Sequence, residues 1–167
     1  MLYDLIYSLL IYPVIFILPA WVANGAPVIF GGGKPIDLGM KLGGKPIFGG
    51  HKTIKGLVTG LASGFIVSFI ISLFLPYLLF TGMALTVGTH VGDLFGSFVK
   101  RRLGKHEGAS WAVFDQYLFL AAALIFALPF GNLPYWPGTI VIIVLTGVLH
   151  KATNVMAHKA KITEFPW

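Results

Sequence analysis

The chain contains no cysteine, so it cannot build a disulfide framework, a thiolate metal site or a cysteine nucleophile. Charge is scarce as well: only 11% of the residues are Asp, Glu, Lys or Arg, against 56% hydrophobic. With a mean hydropathy of +0.84, that balance lies far outside the soluble globular range. The polar gaps are too short to hold a soluble catalytic domain, so any active site must be assembled from helix ends and the loops joining them. The N-terminus lacks a basic leader, and Asp4 stands near it, which argues against a cleaved signal peptide. The apolar segments do not alternate polar with apolar residues, which excludes a closed β-barrel.

Five continuous apolar segments are present, near residues 3–23, 54–75, 77–99, 111–130 and 137–157. Each has the roughly twenty residues that a bilayer-spanning helix needs. They predict a single all-α domain: a polytopic integral membrane bundle of about five transmembrane helices, with loops over about 24–53 and 100–110. Pro76 marks a tight turn between the second and third segments, and Pro137 suits a first helical position. The four Trp residues lie near segment ends, as interfacial anchors do.

All twelve Lys and Arg residues fall in three stretches: Lys34 to Lys55, Lys100 to Lys105, and Lys151 to Lys161. The gaps near Pro76 and Gly131–Trp136 contain none. With five spans the three basic stretches share one side, and the positive-inside rule makes that side the cytoplasm. The N-terminus then faces out and the C-terminus in. A net charge of +6 raises nucleic acid as a partner, but cations flanking hydrophobic spans fit membrane orientation and anionic ligands better.

Small residues recur every fourth position in the second segment, at Gly56, Gly60, Gly64, Ser68 and Ser72. The third carries Gly88, Gly92 and Gly96 at the same interval. The two stripes are expected to meet, bringing the loop around Lys52 beside Asp93 and Lys100.

Asp93 lies within an apolar segment, where a charge is costly and marks function more often than structure. On a helix Asp93, Ser97, Lys100 and Arg101 share a face, and Asp115 stands about one turn into the next segment. Two carboxylates beside a cluster of cations suit a magnesium-bound polyphosphate: carboxylates for the metal, Lys and Arg for phosphate oxygens. The competing reading makes Asp93 and Asp115 counter-ions of Lys100 and Arg101. The preceding loop is glycine-rich, with Gly31-Gly32-Gly33-Lys34, Gly43-Gly44-Lys45 and Gly49-Gly50-His51-Lys52-Thr53. It is no Walker motif, since His51 stands where glycine must precede Lys-Thr and no strand leads into it. Lys52 and Thr53 nevertheless open the second helix, where the dipole and free amides favour an anion. His90, three residues before Asp93, reads as a packing histidine in preference to a support behind Asp93, and His150, Asn154 and His158 share a face suited to interhelical hydrogen bonds. His51 and His106 stand in basic loops, within reach of a ligand.

Gly92-Asp93, Ser97-x-x-Lys100-Arg101, Lys105 and Asp115-Gln116 together resemble the signature of the membrane CDP-diacylglycerol synthases. Lys52-Thr53-x-x-Gly56 resembles their Lys-Thr-x-x-Gly motif. With Asn24-Gly25-Ala26-Pro27 and the five-span layout, the pattern is most similar to their archaeal relatives, the CDP-archaeol synthases. Gln116 departs from the bacterial signature, where Arg is usual, and the interval from Arg101 to Lys105 is one residue shorter. The resemblance implies a Mg²⁺-dependent nucleotidyltransferase of phospholipid biosynthesis. Its partners would be CTP and an isoprenoid glyceryl ether phosphate, its products CDP-archaeol and pyrophosphate. Asp93 and Asp115 would hold the metal, with Lys100, Arg101 and Lys105 on phosphate groups. Asn24, Lys45, His51, Lys52, Thr53, Ser97 and His106 would complete the substrate contacts. A homo-oligomer in the bilayer is compatible with this picture. The alternatives are a channel, carrier or assembly factor with a face that binds anionic lipid, or a transferase of another phosphate-bearing isoprenoid or sugar lipid.

Overall fold

The computed structural model describes residues 1–106 and 111–161, and of Ala112, Val113 and Asp115 the backbone alone. Five helices occupy most of it: Leu2–Phe30, Ile54–Ser72, Leu79–Arg102, Ala112–Ala127 and Trp136–Lys159. Single 3-10 turns, Pro76–Leu78 and Leu128–Phe130, lead into the third helix and out of the fourth. The first, second, third and fifth helices are each long and apolar enough to cross a membrane. The fourth, with 16 α-helical residues, is the shorter apolar one. The chain is therefore an all-α, multi-pass membrane bundle. The strands among the described residues are the two-residue pair Lys41–Leu42 and Lys45–Pro46.

The first helix outruns its expected end near Ala23, passing through Asn24-Gly25-Ala26-Pro27 and stopping at Gly31. Pro27 removes one helical N–H, a loss that membrane helices absorb where neighbours pack closely. The neighbour here is the second helix. A Cβ on Gly60 would stand 2.8 Å from the Ala23 carbonyl oxygen, and one on Gly56 would stand 3.4 Å from Pro27 Cβ. Packing against that glycine stripe holds the extra turns in place, so the first loop begins at Gly31.

Gly56, Gly60, Gly64 and Ser68 are the buried residues of the second helix, and they face both the first and third helices. The stripe of the third helix behaves differently from expectation. A Cβ on Gly92 would come 2.7 Å from Ala122 Cβ and 2.8 Å from the Leu118 carbonyl oxygen, both in the fourth helix. Gly88 meets the same helix at Ala122 and Ala123. The residues that do meet the second helix are Gly82, Thr86 and His90. Positions two apart on a helix point in nearly opposite directions, so the third helix packs two faces at once. It lies at the centre, touching the first, second and fourth helices.

Phe16, Ile17, Leu85, Leu120 and Ile142 are fully buried among these helices. At the end away from the glycine-rich loop, Tyr12 donates to the Asn132 carbonyl at 2.6 Å. Asn132 in turn donates to Thr81 Oγ1 at 2.9 Å, tying the first helix, the last interhelical turn and the third helix together. Such bonds hold where lipid leaves no hydrophobic drive between helices.

Candidate active site

The glycine-rich loop is folded rather than slack. Gly43 and Gly44, at φ of 59° and 77°, form the two-residue turn between its short strands, a conformation open to glycine at both positions. The ends of the loop are laced together: Ile36 N–H donates to the Lys52 carbonyl at 2.7 Å and Ile54 N–H to that of Lys34 at 3.0 Å. Asp37, unremarked in the sequence, sits inside with 3% of its surface exposed. Its carboxylate accepts N–H bonds from Phe48 at 2.9 Å and from Gly49 and Gly39 at 3.1 Å. The Phe48 bond is the largest influence holding its carboxyl below the usual range; burial opposes it, and the other two amides add to it.

This loop delivers three side chains to one place. His51, Lys52 and Thr53 line an open cleft together with Asp93 and His90 of the third helix. Lys52 Nζ reaches both carboxylate oxygens of Asp93 at 2.6 Å. Thr53 caps the second helix, its hydroxyl accepting the Gly56 N–H at 3.1 Å. Pro27, Ile36, Leu57 and Leu94 supply the apolar wall. His90 is 6% exposed, and its Nε2 has no hydrogen-bond partner among the described residues. His90 packs on Gly60 and also borders the cleft beside Asp93, so both of its expected places meet here.

The remaining candidates lie elsewhere. Arg101 is 6% exposed and donates through Nη2 to the His106 carbonyl at 3.0 Å, stitching the turn that ends the third helix. Lys105 and the His106 side chain are exposed beside it, and Lys100 is half-buried. Eight residues of helix, about 12 Å, separate Arg101 from Asp93. Lys45 donates to the Arg102 carbonyl at 3.1 Å, so its ammonium rests on a helix end. Arg102, which was not among the candidates, answers by donating to the carbonyls of Leu42, Lys45 and Pro46 and stacks on Phe98. Ser97 is buried and Asn24 half-buried within their helices, away from the cleft lining. The Asp115 side chain lies outside the described residues. Among the described residues no group of three or more His, Cys, Asp or Glu gathers.

A basic loop fixed over an intramembrane carboxylate is a specific arrangement, and known proteins share the chain that builds it. The family model described as "CarS-like: CDP-archaeol synthase" matches residues 6–167. The CDP-archaeol synthase of Pyrococcus furiosus is 41% identical over 159 residues, covering 91% of this chain and 95% of that one. That of Methanopyrus kandleri is 40% identical over 91% of this chain and 90% of its own. A solved structure of an intramembrane enzyme for archaeal membrane lipid biosynthesis is similar at a TM-score of 0.78 and 34% identity, covering 85% of this chain and 92% of that one. The chain therefore belongs to the CDP-archaeol synthase family.

Proposed function

We propose that the protein is a CTP:lipid-phosphate cytidylyltransferase. It couples CTP to 2,3-di-O-geranylgeranylglyceryl phosphate, releases pyrophosphate and leaves CDP-archaeol in the membrane. The observation that carries this reading is the Lys52–Asp93 pair in the cleft. It sets a phosphate-binding cation and a cation-binding carboxylate at one point, under a capped helix N-terminus.

The chemistry asks little of acid or base. A phosphate monoester has its second pKa near 6, so the lipid phosphate is already largely dianionic at neutral pH. Its oxygen attacks the α-phosphorus of CTP, and the bond to pyrophosphate breaks. The work left to the protein is holding two anions together and meeting charge on the leaving group. The Lys52 ammonium takes phosphate oxygens. Thr53 has spent an acceptor site on Gly56 N–H and still offers its hydroxyl hydrogen to a ligand. The exposed Lys105, with Lys100 and Arg101, draws phosphate to the same face.

Magnesium suits these residues. The ion typically takes one or two carboxylates plus substrate phosphates, and both Asp93 oxygens already hold a cation, the Lys52 ammonium. Asp93 would hold it, with Asp115 as a second ligand. When bound it would neutralise charge on the phosphate oxygens. The cleft opens on the side of the basic loops, which we assign to the cytoplasm where CTP is found.

The test is pyrophosphate release by the purified protein, given geranylgeranylglyceryl phosphate, Mg²⁺ and each nucleoside triphosphate in turn. Release with CTP above the other three is expected. Equal release with all four would overturn the cytidine assignment, and none with any would overturn the enzyme reading for this chain.

A further inference from the structure

Among the described residues, Asp37 is a buried acid that the proposed reaction does not use. It belongs to neither the cleft lining nor the basic face, yet it is 3% exposed and accepts three backbone N–H bonds. Those donors come from both arms of the loop, Gly39 on one side of the hairpin and Phe48 and Gly49 on the other. The carboxylate is thus the internal post around which residues 37–49 close.

Two of its neighbours lead straight to the cleft. The Gly49 carbonyl accepts the Lys52 N–H at 3.2 Å, while Ile36 N–H holds the Lys52 carbonyl at 2.7 Å. The backbone of Lys52 is therefore held from both faces. One bond runs through a residue that Asp37 grips, and the other through the residue next to Asp37. The side chain so held reaches Asp93 at 2.6 Å. Ile54 N–H donates to the Lys34 carbonyl at 3.0 Å and continues the same lacing to the helix cap.

We propose that Asp37 is a positioning residue: its buried carboxylate sets the glycine-rich loop so that Lys52 and Thr53 stand over Asp93 before substrate arrives. This rests on the cytidylyltransferase reading above. It assigns no contact with substrate to Asp37 itself. Both carboxylate oxygens are needed, one for Gly39 and the other for Phe48 and Gly49. An asparagine would turn an NH₂ donor against backbone donors on one side or the other.

The experiment compares Asp37→Asn, Lys52→Ala and the double variant for CTP-dependent pyrophosphate release by the full chain in detergent. Asp37→Asn should lower kcat/KM for CTP on the order of 10- to 100-fold, the cost of losing an outer support or misplacing a binding group. KM for the lipid phosphate should not change. In the Lys52→Ala background the same substitution should add little, because the effect runs through Lys52. Losses that multiply in the double variant, or an unchanged kcat/KM for CTP in Asp37→Asn, would overturn the proposal. Amide exchange at Phe48 and Gly49 in the unmodified protein gives a readout that needs no variant to fold. Slow exchange is expected, and exchange at the rate of an open loop would overturn it. Absence of pyrophosphate release from the unmodified protein would strike at the reaction instead, and the exchange measurement would still report on the loop.

Discussion

Lys52 and Asp93 neutralise each other in the resting cleft, so each is informative only when the other is left in place. Asp93→Asn keeps the shape, removes the charge and strands the ammonium. It should cost about 100-fold or more in pyrophosphate release, the scale of losing one electrostatic group from a site, while the helices stay folded. Near-normal turnover would exclude Asp93 as a metal ligand. Asp37 gives a second expectation, through pH. Its carboxyl is held below its ordinary range in the folded loop, so it stabilises that loop at all pH values above the unfolded carboxylate value. The stabilisation fades as pH falls and disappears once the lowered folded value is passed. Protection of the Phe48 and Gly49 amides should therefore persist into mild acid and collapse below the usual carboxylate range. In Asp37→Asn the protection should already be lost at neutral pH.

At the scale of the helices, the glycines divide into two kinds. Gly92 has the Leu118 carbonyl and Phe119 Cα, both backbone, within 2.8 Å of where a Cβ would stand. Gly92→Ala should destabilise the bundle by about 1–3 kcal/mol, as overpacking does, and lower its melting temperature in detergent. Gly25 has nothing within 4 Å, so Gly25→Ala should be neutral or add up to about 1 kcal/mol through helix propensity. Sequence periodicity found both stripes, because small residues at every fourth position can serve only one helix face. It could not say which neighbour each stripe meets. Gly88 and Gly92 were expected against the second helix and pack on the fourth, since an interval along one helix carries no information about its partner. Helix existence was legible from continuous hydropathy. The end of the first helix was not, because Pro27 and Gly25 read locally as breakers while the second helix's glycine stripe overrides them. The site was legible in part for the same reason. Lys52 and Thr53 stand out as charge and cap signals at a helix start, and Asp93 as a charge inside an apolar helix. Asp37 and Arg102 act on backbone atoms of a loop whose fold depends on turns at Gly39, Gly43 and Gly49, and nothing in their spacing announces that.

For the molecule as a whole, the charge distribution makes the sharpest forecast. Gly44 in the hairpin and Lys159 at the end of the fifth helix should lie on the same side of the membrane, and Gly131 on the other. A chain without cysteine allows single substitutions at each to be labelled with an impermeant thiol reagent. Labelling of Gly44→Cys and Lys159→Cys from opposite sides would refute the five-crossing arrangement. The short fourth helix is the element on which that outcome turns, since fewer crossings would part the two sites.

The lacing of residues 34–36 to 52–54 makes the hairpin a closed appendix. Its tip, Gly43-Gly44, has open space around both residues. Chain added there would lengthen a loop already shut at its base, and loop-closure entropy grows only slowly with length. The tip is therefore a graft point: an epitope or a small fluorescent tag inserted between Gly43 and Gly44 should leave the enzyme folded and turning over. In a protein this small and this deeply embedded, it offers a handle whose two glycines meet nothing, between residues Leu42 and Lys45 that bond Arg102. Loss of pyrophosphate release on insertion would show instead that the hairpin's bonds to Arg102 are needed for turnover.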